Sequence, residues 1–455
     1  LTAGLFAEDG AIAAFRGHCG FRLVGRRGRI DRETPSSLSV AAGLSAVLLT
    51  KREGAKKGGM FDTMSTNESL YERAAGALMF VGPKPEVVME RGRGLELFDA
   101  EGRRYLDFVG GWAVTALGHC PEVVARALKE QSETLLDASP SYYNTKQVEF
   151  AEALCRASGF DKVWFGSSGA EVNEGAIKLA RKWGKKHKAG AFGIVTASNS
   201  FHGRTLATMA ATGKEEWREL YGPALLGFAH VPYNDLDAAS EAIDEDTVAV
   251  MIEPVQGEGG AIPARTDYVL GLRELCDRRH ALLIFDEVQT GYGRTGTLFA
   301  YQGFGVKPDI MTLAKGIGGG FPLSALLARD EVCAFEKGDQ GGTYSGQSLA
   351  MAVGLAVLRE MIARDISGNA MRVGAYLRRK LDDLASEGLV SSVRGLGLLL
   401  AFDSVRRNGA DIVSDCLADG LLVNSPRPAA IRLMPALVAG ERDVDEAIGI
   451  LRRHL

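Results

Sequence analysis

Three short stretches put chemically capable side chains where apolar runs stop. Ile310-Met311-Thr312-Leu313-Ala314 ends in Lys315, followed by Gly316-Ile317-Gly318-Gly319-Gly320. An amine at the end of a buried strand loses solvation, so its pKa falls and the neutral form becomes available to attack a carbonyl. Ala281-Leu282-Leu283-Ile284-Phe285 runs straight into Asp286-Glu287-Val288-Gln289-Thr290-Gly291. A carboxylate in that position is costly unless it meets a cation. Phe165-Gly166-Ser167-Ser168-Gly169-Ala170-Glu171 is a glycine and serine turn leading into a helix with Asn173, Ala176 and Leu179. Unpaired N–H groups at such a helix start, with the helix dipole behind them, form an anion cup.

Each stretch alone has an ordinary alternative: a surface lysine with its stem on apolar neighbours, a structural ion pair, a simple strand-to-helix turn. Together, an amine nucleophile, an acid able to keep a ring nitrogen protonated and a phosphate cup specify pyridoxal 5′-phosphate. Nucleotide chemistry fits less well, because the chain has no GxxxxGK[ST] and no strand followed by GxGxxG. The strand ending Glu253-Pro254-Val255-Gln256-Gly257-Glu258-Gly259-Gly260 adds two more acids.

The elements that must hold these residues follow an α/β pattern. Leu95 to Asp99 and Tyr105 to Phe108 read as a hairpin around Ala100-Glu101-Gly102-Arg103. Apolar runs at Lys162 to Phe165, Gly193 to Ala197, Val248 to Ile252, Ala281 to Phe285 and Ile310 to Leu313 alternate with helical stretches such as Asn173 to Trp183 and Tyr268 to Arg279. That alternation predicts a largely parallel sheet covered on both faces, with ligands beyond the carboxyl ends of its strands. Leu349 to Ala363 and Met371 to Ser386 read as long amphipathic helices. Strand candidates at Gly397 to Phe402, Leu421 to Val423 and Ala430 to Met434 then form a smaller α+β domain.

Composition agrees with small-molecule work. The 455 residues carry 53 basic and 57 acidic side chains, a net charge of -4, which gives no footprint for nucleic acid or an anionic membrane. Cysteines 19, 120, 155, 276, 333 and 416 are scattered with no CxxC pair, so neither a metal site nor a disulfide framework is expected, and a cytoplasmic location is. The most apolar run, Val40 to Leu49, is shorter than the roughly 18 residues a membrane span needs. The first sixty residues, with Arg26, Arg27 and Arg29 and little periodicity, are expected to be an extension outside the folded enzyme. An over-extended reading frame with its natural start at Met60 or Met64, or a targeting peptide, would explain them.

The strings SSGAEVNEGAIKLAR, FHGRT, EPVQGEGG, FDEVQTGYGRTG and LAKGIGGGFP resemble the signature segments of class III, fold-type I aminotransferases. The resemblance runs from about Val87 to the C-terminus and is closest to the acetylornithine and ornithine branch, which Val109 to His119 resembles in particular. It implies a large domain with a mostly parallel seven-stranded sheet, plus a smaller domain from the C-terminal and part of the N-terminal segment. The implied boundaries are 1–60 for the extension, 61–115 for an N-terminal segment packing with the small domain, 116–365 for the cofactor-binding domain and 366–455 for the small domain. Lys315 would carry the cofactor as a Schiff base and shuttle a proton. Asp286 would hold the pyridine nitrogen protonated, Gln289 would bond the phenolic oxygen, and Val288 and Phe201 would cover the two ring faces. Ser168, Gly169 and Ala170 would form the phosphate cup; Ala170 stands where the family usually has threonine, which leaves the backbone N–H groups to do the work.

On the substrate side, the resemblance assigns Arg204 to a substrate carboxylate, suited by its planar fork, and His202 to packing and hydrogen bonding. Glu258 would pair with Arg432 of Ile431-Arg432-Leu433-Met434-Pro435-Ala436-Leu437, either as a static ion pair or as a switch that frees Arg432 for 2-oxoglutarate. Gly341-Gly342-Thr343-Tyr344-Ser345-Gly346 resembles a loop that offers a threonine hydroxyl to the partner's phosphate, implying a homodimer with shared sites. Gly342 replaces the usual Ser, Gln340 a frequent His, and Gln347-Ser348 a frequent Asn-Pro; Gly118-His119-Cys120-Pro121 lacks a second His. Tyr142-Tyr143-Asn144 would line the substrate side. The implied reaction passes the amino group of N2-acetylornithine to 2-oxoglutarate. Ornithine, succinylornithine, 4-aminobutyrate and lysine-type donors remain open, as do racemisation, decarboxylation and, more remotely, a non-catalytic dimeric scaffold.

Overall fold

The apolar runs of the middle of the chain become the strands of one seven-stranded sheet. The computed structural model describes residues 66–218 and 220–455; the expectations for residues 1–60 lie outside them. In chain order the strands are β1 (Lys162–Gly166), β2 (Gly193–Ala197), β3 (Phe228–Val231), β4 (Thr247–Ile252), β5 (Leu282–Asp286), β6 (Ile310–Leu313) and β7 (Ser324–Ala328). They lie in the order β1-β7-β6-β5-β4-β2-β3. β3, β2, β4, β5 and β6 pair in parallel. β7 alone runs antiparallel, to both β6 and β1. Every residue of β4, β5, β6 and β7 is buried, as their unbroken apolar runs require of strands covered on both faces.

Register then places the chemistry. Asp286, the last residue of β5, sits opposite Thr312 of β6, so Asp286 and Lys315 leave the sheet at the same edge. The helix α1 (Gly169–His187) packs on β6 and β7 with Val172, Ala176, Leu179 and Ala180 on its buried face. It is longer than the predicted Asn173 to Trp183 at both ends: Ser168 and Glu171 close a capping box at its start, and Lys185, Lys186 and His187 complement the dipole in its last turn. The helix α2 (Thr266–Arg279) ends at His280 in the left-handed conformation.

Beyond the large sheet, α3 (Ser348–Ala363) and α4 (Ile366–Ser386) lead to β8 (Val390–Leu396), β9 (Leu399–Ser404), β10 (Asn424–Arg427) and β11 (Ala430–Leu433). These four form an antiparallel sheet in the order β8-β9-β11-β10. α4 begins five residues before the predicted Met371, because the Asp365 side chain accepts the Gly368 N–H and caps it there. The predicted N-terminal hairpin is present as Glu96–Asp99 and Arg104–Asp107, closed by Asp99 accepting the Glu101 and Arg103 N–H groups. Leu421–Leu422 adds to the same sheet in parallel with Arg104–Asp107, joining early and late chain segments. Among the described residues no helix is long and apolar enough to cross a membrane.

Candidate active site

A cavity of about 420 Å³ opens at the carboxyl edge of the large sheet. It is lined by Ser168, Gly169, Ala170, Phe201, Arg204, Glu258, Asp286, Val288, Gln289 and Lys315, so ten of the predicted residues converge on one space. Lys315 follows β6 after Ala314 and takes a φ of +51°, a region that residues with a Cβ seldom occupy. Burial pushes its amine below the ordinary lysine value, with the carboxylates of Asp286 and Glu258 opposing the shift.

Asp286 is held from two sides. Asn173 Nδ2 donates to its Oδ2 (2.8 Å) and to the His202 carbonyl (2.7 Å), while the Thr312 hydroxyl donates to Asn173 Oδ1 (2.7 Å). His202 Nδ1 lies 2.8 Å from the same Asp286 oxygen, and the Val288 N–H donates to Oδ1 (3.0 Å). An ionised carboxylate only accepts, so the Nδ1 tautomer of His202 carries the proton. Burial works against a charged His202, but the hydrogen bond and charge of Asp286 outweigh it and raise its pKa. Glu253 stands behind Phe201, accepting its N–H at 3.1 Å, and burial pushes its carboxyl up to about 7. One buried acid therefore keeps a strongly placed set of donors and its neighbour is poised to be neutral.

The start of α1 supplies the anion cup. The Ser167 and Ser168 N–H groups donate to the Glu171 carboxylate at 2.8 and 2.7 Å, and the Ser168 hydroxyl is also within reach of Glu171. Ser168 is thus committed to the cap. Gly169 and Ala170 line the cavity, and their N–H groups, in the first helical turn, have no intrahelical partner. A Cβ on Gly169 would come within 2.9 Å of Val288 Cγ1, so only glycine lets the backbone approach Val288 this closely.

Arg432 is fully buried. Its Nη2 donates to Glu258 Oε1 (2.8 Å) and Asn424 Oδ1 (2.7 Å), its Nε to Asn424 Oδ1 (3.1 Å) and its Nη1 to Gln289 Oε1 (3.5 Å). Burial pushes the Glu258 carboxyl up, but the charge and hydrogen bond of Arg432, then Lys315 and Lys214, outweigh it and hold it below its ordinary value. Arg204 is exposed, has no carboxylate partner among the described residues, and lies 6.0 Å from the Trp217 ring centroid. Phe201 meets Trp217 edge-on at 5.8 Å.

The structure does not bring every predicted residue here. Gly342 and Thr343 are exposed and do not line the cavity, and Tyr142 and Tyr143 are likewise exposed. Asn144 instead caps the helix Thr145–Ser158. Sequence pattern also leaves several participants unassigned: Asn173 and Thr312 behind Asp286, and Asn424 beside Arg432. Position 312 carried one usable signal, a hydroxyl inside an otherwise apolar strand.

A half-buried amine with a lowered pKa, a buried acid at the same sheet edge, two helix-start N–H groups without intrahelical partners and a cavity of small-ligand size fit pyridoxal 5′-phosphate. These features define a pyridoxal-phosphate-dependent enzyme of fold type I. The family model for class-III aminotransferases matches residues 81–455. Acetylornithine aminotransferase 2 of Bordetella pertussis is 51% identical over 371 residues, covering 81% of this chain and 94% of its own. The ornithine aminotransferase structure from Toxoplasma gondii superposes with a TM-score of 0.82 at 30% identity, covering 86% of this chain and 96% of that one. The acetylornithine aminotransferase structure from Elizabethkingia anophelis gives a TM-score of 0.77 at 31% identity, covering 86% and 99%. The chain belongs to the class-III aminotransferase family. It is an aminotransferase that uses pyridoxal 5′-phosphate on small-molecule amino donors and acceptors.

Proposed function

We propose that the chain transfers the distal amino group of N2-acetylornithine to 2-oxoglutarate, giving N-acetylglutamate semialdehyde and glutamate, a step of arginine biosynthesis. The observation that carries this reading is the pair of guanidinium groups, one open and one masked: Arg204 lines the cavity with no carboxylate partner among the described residues, whereas Arg432 is held by Glu258 at 2.8 Å. Acetylornithine bears no carboxylate on its reacting carbon, and 2-oxoglutarate does. Arg204 takes the far carboxylate common to both substrates. Glu258 neutralises Arg432 while the donor is bound and leaves it for the carboxylate beside the reacting carbon of the acceptor.

Bound pyridoxal phosphate supplies an electron sink and a temporary store for the amino group. The chain's own residues do the rest. Lys315 Nζ, its pKa lowered by burial, would bind the cofactor's carbonyl carbon and move a proton at the reacting carbon. Asp286, oriented by Asn173 and His202, supplies the buried negative charge that a ring nitrogen needs to keep its proton. Gly169 and Ala170 N–H groups would hold the phosphate, Gln289 the phenolic oxygen, and Val288 and Phe201 the ring faces. Part of the same proposal is a homodimer in which Thr343, exposed and outside this cavity, offers its hydroxyl to the phosphate of a second copy. The division at residues 116–365 and 366–455 and a cytoplasmic location also belong to it; the five described cysteines are free.

A panel of N2-acetylornithine, ornithine, N2-succinylornithine, 4-aminobutyrate and lysine, each with 2-oxoglutarate, tests the substrate assignment. Acetylornithine should have the highest kcat/KM, and a higher value for any other donor overturns the assignment.

A further inference from the structure

We propose that Lys214 is the second partner of Glu258, receiving its carboxylate when a dicarboxylate acceptor takes Arg432. The proposal rests on the Glu258–Arg432 exchange described above and says where the displaced carboxylate goes.

The pair is asymmetric. Arg432 has no exposed side-chain surface, and Asn424 and Gln289 hold it besides Glu258. The Glu258 side chain is 29% exposed and, among the described residues, its only hydrogen bond is to Arg432. When the pair opens, the guanidinium has anchors left and the carboxylate has none, so the carboxylate is the part that moves. A Cβ at Gly257 or Gly259 would run into the Gln289 or Gln256 side chain, so the backbone on either side is closely packed and the carboxylate turns about its own side-chain bonds.

Space for that movement lies next door. Glu258 lines both the cofactor cavity and a neighbouring chamber of about 510 Å³, and no other residue lines both. A carboxylate entering this chamber from a buried ion pair needs a cation there. Two are present, Lys214 and Arg427, together with His230 and the opposing acids Glu215 and Glu216. Lys214 Nζ lies 4.9 Å from the Trp217 ring centroid and 5.7 Å from that of Phe201, and it has no ion pair among the described residues. Its charge already reaches Glu258, adding to those of Arg432 and Lys315. A short turn of the carboxylate therefore exchanges one cation for another, and Arg432 is released without leaving an unpaired acid behind.

Calorimetric binding of glutarate, an unreactive five-carbon dicarboxylate, to the holoenzyme tests this against pentanoate as a monocarboxylate control. Glu258→Gln should tighten glutarate relative to pentanoate, because Arg432 is no longer masked. Lys214→Gln should weaken glutarate by roughly fivefold, the scale of a partly exposed ion pair, and Lys214→Arg should restore it. In the Glu258→Gln background, Lys214→Gln should change nothing, since no displaced carboxylate remains to be received. An equal loss in both backgrounds, no loss in either, or a background-dependent loss in Arg427→Gln instead overturns the role of Lys214. If Glu258→Gln fails to tighten glutarate over pentanoate, the exchange itself is wrong and Lys214 falls with it.

Discussion

Asn173→Ala removes a side chain that ties the end of β5, the strand β6 and the loop carrying His202 together behind the active site. Its amide donates to Asp286 Oδ2 and to the His202 carbonyl, and accepts from the Thr312 hydroxyl, all within 2.8 Å. Asn173, Asp286, His202 and Thr312 are 1%, 3%, 2% and 0% exposed, so water cannot substitute without repacking. Leaving a buried neutral group unsatisfied costs about 1 to 3 kcal/mol, and a lost bond to a charged acceptor somewhat more. Asp286 keeps His202 and the Val288 N–H, which limits its share. The sum is about 3 to 5 kcal/mol, a large part of the roughly 5 to 15 kcal/mol that holds a typical domain folded. Urea unfolding of the holoenzyme should show a lower midpoint at unchanged slope, and the cofactor should bind at least about tenfold more weakly, equivalent to about 1.4 kcal/mol. A stability change below about 1 kcal/mol with unaltered cofactor affinity would refute the reasoning that this amide positions Asp286.

Other perturbations address the fold and the buried acids. A Cβ on Gly374 would overlap the Gly397 backbone, so Gly374→Ala should push α4 off the turn before β9 and destabilise by about 1 to 3 kcal/mol; a melting temperature within a degree of wild type contradicts the close approach. Burial pushes Glu253 and Glu287 from near 4.5 up to about 7, so between those values the folded chain keeps protons that the unfolded chain has lost. Stability should therefore fall as pH rises from about 4.5 to 7, each group contributing on the order of 3 kcal/mol at about 1.4 kcal/mol per unit. His202 has the same sign: its raised pKa gives stability that is present below about 6.5 and lost as pH rises through the raised value. Urea midpoints that do not fall between pH 5 and pH 8 would contradict both assignments.

The strand ends were the most legible part of the sequence, because a charged residue breaking an apolar run marks both a boundary and a place where the sheet edge meets the cavity. Ile310–Leu313 and Gly193–Ala197 have the observed bounds, and Lys315, Asp286 and Gly169 meet as their positions imply. Ser324–Ala328 is harder to recognise: Ala and Leu favour helices in isolation, and only pairing with its neighbours on both sides makes it a strand. The Asn173–Asp286–His202 network was not legible either, since it joins residues 29 and 113 positions apart through register and helix rotation, which no local pattern encodes. Asn424 likewise belongs to a short strand with few apolar residues, and only the β10–β11 pairing puts it opposite Arg432.

The central claim is that Lys315 is the amine that holds the cofactor. Borohydride reduction of the holoenzyme followed by peptide mapping should place the cofactor mass on the peptide containing Lys315 and on no other, and Lys315→Ala should lose both that adduct and amino transfer. An adduct on another lysine in the wild-type enzyme, or amino transfer at the wild-type rate by Lys315→Ala, would contradict it.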